Sequence, residues 1–401
     1  MSLSAPILLL PYFAWKSKGI AQLSERTGSW KLTLPDGFAW FHGASVGEVN
    51  SLLPVIKRWR EIHPEVFTLL TATTTTGINR GKEAVHETRL LPLDHPRYIA
   101  RALNGAIPRI FVFGECELWA ELLTYLQNRG VKTFLINGRM SERSVRRYRH
   151  FTGILVPVIS RVSHLCVGTE ASRKRFVSLG ADKGRSTVTG TSKYDIEPKE
   201  IRKRGAESKF FKVAGKILVL GSIRPKEEEI WFPPLKDILS SESSLRVIVA
   251  PRHPEKFVYF AEQLEKYGID FARYSEGLPT SHSCLLLDTL GQMERAYSEA
   301  ELSFVGGTLF PEYGGHNPLE AAMYSNGIVL GPHGSTIEEV RSDLEKADAA
   351  ERVESVNDVQ EVVSILLTNK NRIDRKGTNA YGVWQRYRGA TSRIIEILER
   401  P

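Results

Sequence analysis

Short apolar runs alternate with amphipathic stretches of helical period through most of this 401-residue chain, and the alternation runs through twice. In the first half the runs are GFAWFH, VFTLLTAT, RIFVFGE, VKTFLING and SHLCVG. A charged stretch without any such run, SKYDIEPKEIRKRGAESKFFKVAG, intervenes, and the series restarts with KILVLGS, LRVIVAP, SCLLLD, ELSFVGG and GIVLGP. Runs this apolar are buried on both faces, and a strand that pairs parallel to its neighbour needs a helix to carry the chain back. The pattern therefore predicts two α/β domains, each a doubly wound parallel sheet covered by helices. The expected boundaries are an N-terminal segment over 1–35, a first domain over 36–192, a linker over 193–212 and a second domain over 213–401, whose last helix is a candidate to return to the first. Such sheets bind ligands outside the carboxyl ends of their strands, so a cleft between the two is the expected place for substrates.

The charge is uneven. The net +8 conceals 28 Lys+Arg against 17 Asp+Glu in residues 1–200, so the whole basic excess lies in the first half. Its densest patches are GRMSERSVRRYRH, with Arg139, Arg143, Arg146, Arg147 and Arg149, and ASRKRF, with Arg173, Lys174 and Arg175. A surface of this kind suits nucleic acid, an anionic membrane or a phosphorylated lipid, although a solvated helix face is the simpler reading of either cluster alone. Cys116, Cys166 and Cys284 form no CxxC pair, which argues against a disulfide framework or a thiolate zinc site and fits a reducing cytoplasm. The apolar stretch APILLLPYFAW, Ala5 to Trp15, is too short for a span of about 20 helical residues and contains Pro6 and Pro11. It reads as a shallow interfacial anchor, with Tyr12, Phe13 and Trp15 beside Lys16 and Lys18, or as a terminus docked on the first domain.

Five stretches carry chemistry. FHGASVGEV follows a strand and opens a helix, which places Glu48 in the first helical turn at the expected cleft. A carboxylate there is a candidate general base for an attacking hydroxyl; the competing reading is an ordinary acidic residue favoured by the helix dipole, which lowers its pKa unless burial reverses the shift. FGECELWAELL ends a strand with Glu115 and Glu117, the second of which is also a candidate cap for the next helix. TGTSKYD offers Lys193 and Asp195 near the hinge, with a surface ion pair as the bland alternative. VAPRHPEKF puts Arg252 at a strand end, where a planar guanidinium can grip a phosphate or carboxylate through paired hydrogen bonds. FVGGTLFPEYGGHNPLEAAM joins two glycine pairs to a helix opening at Asn317 and Pro318 with Glu320 in its first turn, which suggests an anion site built from backbone N–H groups and a nucleotide as ligand.

FHGASVGEV, GECELW, NGRMSERS, RFVSLGA, VTGTSKYD, PRHPEKF, DTLGQMERAY, FVGGTLF, GGHNPLEAA and GPH occur in the order that resembles the bacterial 3-deoxy-D-manno-oct-2-ulosonic acid (Kdo) transferases. The resemblance runs from about Phe41 to His333. It implies a GT-B fold of two Rossmann-like domains and a metal-independent inverting glycosyltransferase without cofactor. Such an enzyme moves Kdo from CMP-Kdo to the lipid A precursor lipid IVA, at the cytoplasmic face of the bacterial inner membrane. It also implies roles: Glu48 as general base, Glu115 and Lys193 in transition-state stabilisation, and Pro251, Arg252, Leu290, Gly291, Gln292, Asn317, Pro318, Leu319 and Glu320 as contacts to CMP. The implied partners are CMP-Kdo, a phosphorylated lipid acceptor and an anionic membrane surface, with no nucleic acid. A monophosphate leaving group carries less charge than a diphosphate, and no DxD pair occurs in the sequence.

The chain departs from that family at several points. Leu290-Gly291-Gln292 stands where Met-Gly-Glu is usual, Ala120-Glu121 follows the tryptophan in place of Pro-Asn, TGTSKYD replaces TGNLKFD, and GSIRPKEEE diverges where the family tends to keep Thr-His. Two rival classes remain at this stage: a GT-B enzyme for another sugar nucleotide or envelope acceptor, and a non-catalytic nucleic-acid or membrane-binding protein. The second is disfavoured because the basic half lacks the aromatic-interleaved motifs of single-strand binders.

Overall fold

Each of the ten apolar runs becomes a parallel strand. The structure is a computed structural model that describes residues 20–195, 210–211, 215–278 and 281–400. The stretch Ala5–Trp15 and most of the expected linker lie outside the described residues. The chain divides into two compact units, one formed by Met1–Ile196 with Tyr387–Pro401 and the other by Glu197–Arg386.

The first unit holds β1 (Ala39–His42), β2 (Thr68–Ala72), β3 (Glu87–Leu90), β4 (Ile110–Gly114), β5 (Lys132–Gly138), β6 (His164–Val167) and β7 (Ser186–Val188). Their order across the sheet is β3-β2-β1-β4-β5-β6-β7, parallel throughout. The second unit holds β8 (Lys216–Ile223), β9 (Leu245–Pro251), β10 (Phe271–Arg273), β11 (Cys284–Leu286), β12 (Leu302–Val305), β13 (Gly327–Leu330) and β14 (Ala350–Arg352) in the order β10-β11-β9-β8-β12-β13-β14, again all parallel. In each sheet the winding reverses once, beside the first strand: between β1 and β4, and between β8 and β12. A crevice forms where neighbouring crossovers go to opposite faces of the sheet.

Alternate residues of each strand supply the two faces of the first sheet. Trp40, Phe111, Phe113, Leu135 and Leu165 pack on one side with Trp30, whose indole N–H donates to the Leu90 carbonyl at 3.1 Å. Phe41, Val112, Ile136 and Cys166 face the other side, against Val49, Leu52, Val55, Ile56 and Trp59 of the helix Val46–Ile62. That second layer is completed by Ile394, Ile395, Ile397 and Leu398 of the helix Ala390–Leu398, so the last residues of the sequence are part of the first core. Truncation there leaves a void in a close-packed layer. Ile394→Ala should lower stability by about 2–5 kcal/mol, read from the shift in denaturant midpoint, because Ile394 is fully buried.

Candidate active site

Glu48 is fixed by its own helix. Ser45 is the N-cap of Val46–Ile62, its hydroxyl oxygen accepting from the Glu48 amide at 3.3 Å, while Glu48 Oε2 accepts from the Ala44 amide at 2.9 Å and Oε1 from the Ser45 hydroxyl at 3.2 Å. This is the reciprocal arrangement of a capping box, displaced by one residue. Gly43 is needed for packing, since a Cβ would lie 3.0 Å from Leu52 Cδ1 and 3.1 Å from the Val49 nitrogen, whereas a Cβ on Gly47 would meet little but the Ser45 hydroxyl. The cap bonds and the helix dipole favour the ionised carboxylate, but burial and the nearby charges of Glu117 and Glu115 oppose them. Burial is the largest effect and pushes the Glu48 carboxyl up to about 7.

The neighbouring groups come from the switch point of this sheet. A Cβ on Gly114, the last residue of β4, would lie 3.9 Å from Glu48 Oε2. The next residue, Glu115, has a left-handed backbone at φ 51°, unusual for a glutamate and of the kind that collects at functional sites. Its amide donates to the Ile136 carbonyl at 3.0 Å. Burial raises the Glu115 carboxyl, the charges of Arg139 and Lys193 pull it back, and Glu117 raises it again. Glu48, Glu115 and Lys193 therefore sit in one electrostatic neighbourhood of the first unit. Glu117 is not a helix cap: the helix Ala120–Gln127 is capped by Asp94, whose oxygens accept from the Glu121 and Leu122 amides at 3.1 and 2.8 Å. Instead Glu117 Oε2 lies 4.0 Å from His42 Nε2.

Two buried residues that the sequence reading left without a role hold this constellation in place. His42 lies at the end of β1, fully buried; its Nδ1 meets the Thr71 carbonyl and hydroxyl at 3.0 Å, and its Nε2 accepts from the Trp119 indole at 3.1 Å. Bonded at both ring nitrogens, His42 locks Trp119, and with it the turn Glu115–Trp119. Asn137, with φ 55°, donates its amide to the Ser51 carbonyl at 3.2 Å and the Ser192 hydroxyl at 3.0 Å, and its carbonyl accepts from the Ser192 amide at 2.9 Å. One side chain thus joins the helix of Glu48 to the short 3-10 turn Ser192–Tyr194 that carries Lys193. On the other side of that turn, the two oxygens of Asp195 accept from the Gly389 and Thr391 amides at 2.6 and 2.5 Å and cap the final helix, a role that the bland alternative of a surface ion pair did not include.

In the second unit the three expected nucleotide stretches gather at the carboxyl ends of the strands. Arg252 follows β9, exposed, with its amide donating to the Ile223 carbonyl of β8 at 3.2 Å. Leu290, 71% exposed, and Gly291, at φ 86°, precede the helix Met293–Glu299, whose N-cap is Gln292. Asn317 Oδ1 accepts from the Leu319 amide at 3.2 Å, Pro318 and Leu319 are buried, and Glu320 lies in the first turn of Leu319–Ala322. Tyr297 links them: it is fully buried, its hydroxyl would be 2.3 Å from a Cβ on Gly221, and its pKa is raised chiefly by burial, with Glu320 raising and Arg252 lowering it.

At the first glycine pair, after β12, the backbone amides are not open to a ligand. Buried Glu227 already accepts from the Gly307, Thr308 and Leu309 amides at 2.8, 3.1 and 3.2 Å through Oε1, and from the Arg224 amide at 2.8 Å through Oε2. The His316 amide donates to the Gly306 carbonyl at 3.2 Å. The protein's own carboxylate fills that nest, so the Gly307–Leu309 amides are not available to a ligand anion.

Residues 21–196 match the family model described as 3-Deoxy-D-manno-octulosonic-acid transferase (kdotransferase). The chain is 31% identical over 389 residues to the 3-deoxy-D-manno-octulosonic acid transferase of Haemophilus influenzae, covering 94% of this chain and 91% of that one. It belongs to the Kdo transferase family. A second member, the 3-deoxy-D-manno-octulosonic acid transferase of Chlamydia trachomatis serovar A, is 32% identical over 343 residues, 83% of this chain and 79% of its own. Among solved structures, UDP-GlcNAc 2-epimerase from Neisseria meningitidis bound to UDP-GlcNAc superposes with a TM-score of 0.63 at 10% identity, over 90% of this chain and 99% of that one, a likeness of fold. The two Rossmann-like units are those of the GT-B class, and this Kdo transferase is a glycosyltransferase.

The Glu48 shift has a thermodynamic consequence. A carboxyl whose folded pKa lies above its unfolded value binds more protons in the native state, so its contribution to stability declines as pH rises from about 4.5 through about 7. Glu48→Gln removes that titration. Relative to wild type, the variant should gain stability between pH 4.5 and pH 8 in thermal unfolding; an unchanged difference across that range would show that Glu48 ionises as an ordinary surface carboxylate.

Proposed function

We propose that this Kdo transferase moves Kdo from CMP-Kdo to lipid IVA, with inversion and without a metal, in lipopolysaccharide biosynthesis. The observation that carries the reading is the carboxyl group of Glu48, held near neutrality by burial at the switch point of the first sheet with Glu115 and Lys193 as charged neighbours. A base acts best when its pKa lies near the working pH. The acceptor hydroxyl gives its proton to Glu48 as its oxygen bonds to the anomeric carbon, and the bond from that carbon to the CMP phosphate breaks with the electron pair leaving on phosphate. Lys193 and Glu115 are the charged groups set to respond to the developing charge. Arg252, with the stretches 290–292 and 317–320, is the reading for the CMP side in the second unit.

The test is mass spectrometry of lipid IVA incubated with freshly generated CMP-Kdo. Wild type should add Kdo, and Glu48→Gln should lower turnover by about 100-fold or more while leaving CMP binding unchanged. In wild type the rate should rise with pH through about 7, and that limb should vanish in the variant. Near-normal turnover in Glu48→Gln moves the base elsewhere, with Glu115 the next candidate. UDP or GDP stabilising the protein where CMP does not would favour a different sugar nucleotide.

The acceptor is lipid, and the basic surface of the first unit suits it. Arg143, Arg146, Arg147 and Arg149 are exposed on the helix Glu142–Tyr148 and the turn after it, and beside them Phe151 and Ile154 are 54% and 59% exposed. Among the described residues no helix is long and apolar enough to cross a membrane. Cations around protruding apolar side chains match a peripheral attachment to anionic lipid at the cytoplasmic face of the inner membrane. Reversing Arg143 and Arg146 to Glu should weaken sedimentation with anionic vesicles and raise the apparent KM for lipid with CMP affinity unchanged; wild-type binding should fall as salt rises. Attachment insensitive to both, yet lost on deleting Ser2–Trp15, assigns it to that segment.

A further inference from the structure

Three neighbouring strands of the second sheet end in groups that favour an anion. β8 ends at Ile223 and is followed by Arg224, β9 ends at Pro251 and is followed by Arg252, and the turn after β12 is closed by His316, whose amide is bonded to Gly306. Neither guanidinium has a hydrogen bond or ion pair among the described residues. The Arg224 guanidinium lies over the Tyr313 ring at 4.5 Å, and Tyr313 is itself tied by its hydroxyl to the Pro225 carbonyl at 3.0 Å, so the arginine is held at the strand end. Three buried polar atoms here lack partners: Arg224 Nε, His316 Nε2 and Asn317 Nδ2. His316 packs over Gly307, where a Cβ would meet its Nε2 at 3.3 Å. Burial, helped by Arg252, Arg224 and His253 against Glu320, lowers His316 to about 4, so at neutral pH the ring carries no charge and keeps one N–H to donate. Polar groups left unpaired in a protein interior are costly, and an anion placed here would satisfy several together. The Gly307, Thr308 and Leu309 amides cannot substitute, because Glu227 has taken them.

This step rests on the donor proposed above. A CMP-linked ulosonic acid carries two anions on one carbon: the phosphate bonded to the anomeric carbon, and the acid group bonded to that same carbon. The groups that receive them must be neighbours. Adjacent strands lie about 4.8 Å apart, and Arg224 and Arg252 leave adjacent strands with the Arg252 amide bonded to the Ile223 carbonyl. We infer that Arg224 and His316 form a subsite for the carboxylate of the donor sugar, beside the phosphate position of Arg252. The arrangement holds the sugar by its acid group while the bond to phosphate breaks, and it excludes sugar nucleotides that lack an acid at that carbon.

CMP has the phosphate and lacks the carboxylate, which separates the two positions. The Kd for CMP and the KM for freshly generated CMP-Kdo are measured for wild type, Arg224→Ala, Arg224→Gln, His316→Asn and Arg252→Ala, with thermal unfolding to confirm folding. Arg224→Ala and Arg224→Gln should raise the KM for CMP-Kdo by about tenfold or more and change the Kd for CMP by less than about twofold, since a charge-assisted hydrogen bond is lost only where the carboxylate is present. His316→Asn should move the same constant in the same direction, and Arg252→Ala should weaken both ligands. Equal loss of CMP and CMP-Kdo in the Arg224 variants puts that residue on the phosphate and overturns the subsite. No change in either ligand leaves Arg224 as a residue stacked on Tyr313 and overturns it as well. If wild type binds no CMP, the donor reading falls and the subsite with it, an outcome distinct from both.

Discussion

The side-chain amide of Asn137 is the junction on which the first unit's site depends. It lies at the end of β5 in a left-handed backbone conformation, which asparagine tolerates better than most residues, and from there reaches two elements that are 141 residues apart in sequence. Its bonds to Ser51 and Ser192 are buried, where exchange with water does not weaken them, and leaving any of these groups unpaired would be costly. The spacing between the helix of Glu48 and the turn of Lys193 is therefore set by hydrogen bonds of fixed length rather than by the looser packing of apolar surfaces. His42 does the equivalent for Trp119 and the turn after β4.

Glu48 performs two tasks that pull its ionisation in opposite directions. As the third residue of its helix it caps the preceding turn, a role that favours the carboxylate; as a half-buried group near two other glutamates it is favoured neutral. The cap orients the oxygens and the burial tunes them. An acidic residue in a first turn is commonplace, and the proposed use of this one as a base follows from where the winding of the sheet places it.

How much of this was legible in the sequence depends on how local the cause is. All ten apolar runs lie in the sheets as interior strands, and all four strands without such a run, β3, β7, β10 and β14, are edges. An edge strand is short and half exposed, so its residues need not be apolar: β3 is ETRL, alternating partly exposed and buried. Glu48, Glu115, Lys193 and Arg252 were readable because each follows a strand or opens a helix. His42, Trp119 and Asn137 were present in the quoted motifs, but their roles arise from contacts across 29 to 86 residues, which no local pattern encodes. Glu227 was the least legible. A run of three glutamates reads as solvated surface, yet Glu227 and Glu228 are buried, the first on four backbone amides and the second on the Tyr259 hydroxyl.

That buried carboxylate has a consequence for how such a site can change. Where a phosphate is bound by a glycine loop, recognition is distributed over consecutive amides, and altering it means rebuilding the loop. Here three consecutive amides of the loop are taken by an internal anion, which makes that part a fixed floor, while Arg224 and Arg252 stand singly at the ends of separate strands. Neither belongs to that floor, so recognition of an anionic ligand at these strand ends is open to revision one side chain at a time.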